Sequence, residues 1–168
     1  MAAQRRHIHL IDIENFLDLK TAQPADITRF ATTYRLATNT PNDAHIIIAT
    51  SHPHGAACVK LGWPQARVLY QHGPDGADNA LLDIITTENL TARYTHITIA
   101  SGDHAFAEAA TTLTEHADVT IIGRRGHTAK TLTTTGATLT YFTAPGATGA
   151  TTGTPNPATM PRRSPARR

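Results

Sequence analysis

Three aspartates and an asparagine have the types and spacing to do chemistry. Asp12 and Asn15 follow the apolar run "HIHLI", Asp78 follows the turn "HGPDGA", and Asp103 ends "IASGD". None of the three acids has a Lys or Arg beside it in sequence. Carboxylates gathered in one cleft repel each other, and need a cation, a shared proton or a basic partner. Oxygen donors without thiolate suit Mg2+ or Mn2+. Such ions keep several waters and recruit phosphate oxygens, which points to metal-assisted phosphoryl chemistry.

Taken singly, each acid has an ordinary explanation. Asp12 could cap the helix that follows it, Asp78 is a favourable first-turn acid, and Ser-Gly-Asp is a common turn. The set carries weight only if one architecture brings the three together. Short apolar runs supply it. Residues 7–11, 44–50, 66–71, 95–100, 118–123 and 138–143 read as strands, and "AHIIIAT" is the β-branched run of a strand covered on both faces. Between them, residues 25–38, 54–61, 77–90 and 104–116 have helical spacing, with a weaker helix in "HTAKTLTTT". Strands alternating with helices predict an α/β domain with a mainly parallel sheet of five to six strands. Asp12, Asp78 and Asp103 would then lie at or just beyond carboxyl ends of strands, the edge where open α/β sheets bind ligands.

Composition sets outer bounds. A chain of 168 residues with 40% hydrophobic content fits one domain and a remainder. The domain is expected over residues 1–143. From residue 144 the chain turns to Gly, Pro, Thr and Ala without apolar periodicity, the signature of a disordered tail. Arg162, Arg163, Arg167 and Arg168 end that tail, whereas no acid follows Asp118. A slightly acidic body with a basic appendage suits a phosphate-rich partner when metal ions offset the acids. The single Cys58 excludes an internal disulfide framework. No run approaches the ~20 apolar residues of a membrane span, and no signal-peptide pattern opens the chain, so the cytoplasm is the expected compartment.

"HLIDIENFLD", "GADNALLDII" and "ITIASGDHAFAEAA" resemble, in order and spacing, the three signature segments of the NYN domain, a branch of the PIN-like nuclease superfamily. "VTIIGRRGHTAKTLTTTGATLTYF" is similar to its closing segment, and the likeness spans roughly residues 6–143. The resemblance implies a Rossmann-like sheet of order 3-2-1-4-5 with helices on both faces, and a Mg2+- or Mn2+-dependent endoribonuclease site hydrolysing RNA, expected to be single-stranded. It matches Asp12, Asn15, Asp78 and Asp103 to the catalytic set, with the three aspartates as metal ligands. Ser101 and Asp83 match supporting positions, although ~100° per residue turns Asp83 about 140° from Asp78. One position departs. Many members carry another Asp two places after the Ser-Gly-Asp acid, where this chain has Ala105.

Arg124, Arg125 and Lys130 follow strand five and are the expected phosphate contacts. His7 and His9 share a strand face and read as structural or exposed. His52 and His54 read as surface residues, and His104 as a neighbour of Asp103. Trp63 and Tyr70 are too scattered for a base-stacking platform. A homodimer is left open. The competing reading is a non-catalytic RNA-binding module, favoured by Ala105. A haloacid-dehalogenase-type phosphatase fits less well, because Glu14 stands where its second Asp belongs.

Overall fold

The computed structural model describes residues 6–143, so the tail expected from residue 144 lies outside the described residues. Six parallel strands form one sheet in the order β3-β2-β1-β4-β5-β6. They are β1 (His7–Asp12), β2 (His45–Thr50), β3 (Arg67–Tyr70), β4 (His96–Ala100), β5 (Asp118–Gly123) and β6 (Thr138–Tyr141). The helices are α1 (Pro24–Ala37), α2 (Pro53–Gly62), α3 (Gly76–Thr87), α4 (Leu90–Arg93) and α5 (Ala107–Thr114). This is a Rossmann-like α/β fold, with β6 extending the expected order by one edge strand. No helix among the described residues is long and apolar enough to cross a membrane.

Local chemistry accounts for the element ends. Pro24 at the first turn of α1 needs no N–H partner, and Gln23 donates its backbone N–H to the Asp26 carboxylate at 2.8 Å in a capping box. The expected helix over 77–90 is broken. Asn89 takes φ 46°, the left-handed region that Asn tolerates better than most residues, so α3 ends and the one-turn α4 restarts the path. The expected helix over 104–116 begins instead as a 3₁₀ turn, His104–Phe106, capped by Asp103.

The core lies in two layers. Ile8, Leu10, Ile99, Ile121, Leu81 and Phe106 pack between the sheet and the α3–α5 side. Ile11, Ile48, Phe30, Tyr34 and Trp63 pack on the α1–α2 side. On that second side β4–β6 are less fully covered, and His96, Thr98, Thr120 and Thr140 line a polar cavity of about 340 Å3.

His9 is buried within this layer, and its Nδ1 meets the Tyr34 hydroxyl at 2.9 Å. Burial, then the charges of His7 and Arg35, push its pKa down to about 4. Above the unfolded value of ~6.5 the ring is neutral in both states. Below it the unfolded chain takes up a proton that the folded chain refuses, so stability is lost as pH falls from ~6.5 towards 4. A His9→Gln variant should lack this acid-side slope, measured as melting temperature against pH.

Candidate active site at the carboxyl edge

Asp12 ends β1 and is 4% exposed. A 3₁₀ turn, Ile13–Asn15, follows it, and Asp12 caps that turn by accepting the Glu14 N–H at 3.2 Å. The turn swings Asn15 back so that its amide donates to Asp12 Oδ2 and to Ser101 Oγ, the latter at 3.1 Å. Ser101 in turn donates to Asp12 Oδ2 at 3.4 Å and accepts the Asp103 N–H at 3.2 Å. The Gly102 N–H points to Asn15 Oδ1 at 3.4 Å. The turns after β1 and β4 are thus stitched together by one amide and one hydroxyl. Ser101, expected only as a supporting residue, joins them.

Asp78 enters from α3, one turn in from the sheet edge, and is 8% exposed. Its Oδ1 is buried without a hydrogen-bond partner. Burial first, then the charges of Asp12 and Asp103, raise its pKa to about 7. Burial also holds the Asp12 pKa above the ordinary carboxylate range, with Glu14 adding to it and the Asn15 amide opposing it. A proton shared between Asp12 and Asp78 relieves the pair. Asp103 sits further out. Its Oδ1 accepts the Ala105 N–H at 2.8 Å and lies 3.1 Å from His104 Nδ1.

A buried carboxylate oxygen without a donor, on an acid that interacts with a second carboxylate, is chemically suited to a hard cation. Among the described residues, however, no three His, Cys, Asp or Glu side chains are grouped closely enough to hold one ion together. The three acids therefore act on one another through their charges without forming a finished three-carboxylate ligand set. Asp12 and Asp78 are the pair that would hold an ion, and Asp103 is the third charge acting on Asp78.

The remaining expected residues divide. Arg124 Nη1 donates to the Asn15 carbonyl at 2.9 Å, so it braces the turn after β1 and is not an unattached phosphate hand. Arg125 lies over the Tyr141 ring, 4.9 Å from its centroid. Lys130 is exposed at the start of a 3₁₀ segment, Lys130–Thr134. Asp83 is exposed on α3, and none of the hydrogen bonds around the carboxylates reaches it, so the supporting role expected of it finds no contact. His54 is exposed, as expected, with its Nε2 2.9 Å from the Ala22 carbonyl.

Glu14 is the residue whose part the motifs did not announce. Its carboxylate accepts the Thr50 hydroxyl at 2.8 Å, the Ser51 hydroxyl at 3.0 Å and the Ser51 N–H. Despite the cost of burial, these donors hold its pKa below the ordinary value, so it stays charged. It ties the end of β2 to the turn carrying Asp12 and Asn15. The only sequence signal was an acid beside the motif, since Thr50 and Ser51 lie on another strand end.

No family model matches the chain, and no curated protein matches it. Among solved structures it is similar to a protein of unknown function from Vibrio parahaemolyticus, at 14% identity and a TM-score of 0.59, over 85% of this chain and 96% of that one. At that identity the likeness is one of fold alone.

Proposed function

We propose that the chain is a cytoplasmic, divalent-metal-dependent ribonuclease that hydrolyses phosphodiester bonds in single-stranded RNA. The observation that carries this reading is the buried, unpartnered Oδ1 of Asp78 beside Asp12, with a pKa of about 7, at the carboxyl edge of the sheet. When bound there, Mg2+ or Mn2+ would supply an acidified water and charge neutralisation at the departing oxygen. Asp12 and Asp78 would give up their shared proton to hold the ion. The Asn15 amide and the Ser101 hydroxyl keep Asp12 in place, and Glu14 keeps the turn in register with β2. Asp103, whose charge already acts on Asp78, would orient the attacked phosphate or the water. A second reading, a non-catalytic RNA-binding module, is favoured by the absence of a grouped three-carboxylate set among the described residues and by Ala105.

The deciding experiment is cleavage of end-labelled single-stranded and duplex RNA with Mn2+, Mg2+ or EDTA. Cut internal bonds with Mn2+ and none with EDTA are expected, whereas binding without cutting under every condition selects the module. The shared proton adds an independent expectation. An ion and a proton compete for Asp78, so Mn2+ affinity measured by calorimetry should fall roughly ten-fold between about pH 8 and about pH 6. An affinity unchanged over that range removes Asp78 from the ion's ligands.

A further inference from the structure

Leu10, Ile99, Ile121 and Leu139 are Cα partners in one row across β1, β4, β5 and β6. Two residues further along each strand, the same row runs Asp12, Ser101, Gly123 and Tyr141, and Gly123 pairs with Tyr141. Residues two apart on a strand share a face, so Tyr141 ends the edge strand on the face that carries Asp12. Three strand spacings of ~4.8 Å place it about 14 Å from Asp12 along the carboxyl edge.

Tyr141 is 37% exposed, and its ring lies under the Arg125 guanidinium at 4.9 Å. Arginines also lie over Trp63 and Tyr94, but those rings are 2% and 4% exposed and belong to the packed interior. Only at Tyr141, among the described residues, does an arginine stack on an aromatic ring that solvent reaches. Arg125 forms no ion pair among the described residues, so no carboxylate partner neutralises its charge. Arg124, one residue away, is anchored on the Asn15 carbonyl, which fixes the loop to the carboxylate site.

We propose that Tyr141 and Arg125 form a stacking seat for one unpaired nucleobase of a single-stranded RNA whose backbone passes the Asp12–Asp78–Asp103 carboxylates at the sheet edge. An exposed aromatic ring and a guanidinium plane both stack on bases whatever the base identity. A base held in a duplex cannot enter the seat, which supplies the preference for single strands. The inference rests on the ribonuclease reading for the course of the backbone, and the seat itself needs only RNA binding.

The test is fluorescence anisotropy of the full chain in EDTA, with a labelled oligouridylate and with a strand of the same length made of abasic ribose phosphate. Tyr141→Ala should weaken oligouridylate binding roughly ten-fold, the lower to middle range for one stacked base, and leave the abasic strand unchanged. Tyr141→Phe, which keeps the ring, should restore wild-type affinity. Equal losses on both strands, or no loss on either, overturn the seat, as does a wild type that does not distinguish the strands. Cleavage of the same oligouridylate with Mn2+ separates the two readings. Tyr141-dependent binding without cleavage keeps the seat and overturns the nuclease, and cleavage without Tyr141-dependent binding does the reverse.

Discussion

Asp78→Asn is expected to remove RNA cleavage and, in the same molecule, to raise the melting temperature of the metal-free protein at about pH 8. Asp78 keeps its proton until about pH 7 in the folded chain, against a reference of 3.8. A carboxyl with a raised folded pKa contributes stability that is fully present below the unfolded value and is lost as pH rises through the folded one. At about pH 8 the whole penalty of a second negative charge beside Asp12 is in place. The substituted amide never takes that charge, and it can donate to Asp12 as the protonated acid did. The gain is roughly 1–3 kcal/mol, reduced by water at the sheet edge. Loss of the proposed ligand should lower cleavage at least about a hundred-fold, the upper range for removing even an outer partner of a metal site. The pH series adds a signature. In the wild type the slope from Asp78 and the opposing slope from His9 overlap between about pH 4 and about pH 6.5 and largely offset each other. The variant leaves the His9 slope exposed, so its melting temperature should fall steeply with acid. A variant that melts below the wild type at about pH 8 would mean that Asp78 is a structural acid.

A single methyl group at position 102 should do nearly as much harm by a different route. A Cβ on Gly102 would stand 2.2 Å from the His127 carbonyl oxygen and 3.2 Å from Thr128 Cα. Both are backbone atoms of the loop after β5, and that loop is held in place by the Ala129 N–H donating to the Gly102 carbonyl at 2.8 Å. Neither side can yield without losing this bond or the Gly102 contact to Asn15. Gly102→Ala should therefore cost ~1–3 kcal/mol, the usual range for overpacking. Because Asp103 is the next residue, a shift of about 1 Å at the turn should lower cleavage by up to about a hundred-fold. Melting temperature and Mn2+-dependent cleavage, measured together, check both. Wild-type values in both would mean that the turn and the loop do not meet so closely.

Chain neighbours alone were enough for the sheet and for the edge where the acids lie. The apolar runs "HIHLI", "AHIIIAT" and "THITIA" have the length and β-branching of strands, and Asp12 ends its strand while Asp103 follows its own by three residues, whatever the rest of the chain does. The strand order 3-2-1-4-5 came from the resemblance, not from periodicity, and β6 was legible as the run at 138–143. Periodicity also pointed Asp83 away from Asp78, and Asp83 is exposed on α3.

What no local pattern carries is which side chain meets which. The break at Asn89 required the chain to turn back towards β4, which helical spacing does not register. Whether His9 is neutral depends on its burial and on the charges of His7 and of Arg35, 26 residues away on α1. Whether Glu14 is a tie depends on Thr50 and Ser51, and whether Tyr141 sits level with Asp12 depends on the register of three intervening strand pairs. The protonation of Asp78 is the clearest instance. Its pKa follows from burial under neighbouring elements and from two carboxylates brought in by β1 and β4. Backbone conformation answers to the nearest residues, whereas desolvation and Coulomb energy answer to whatever folding brings within a few ångströms.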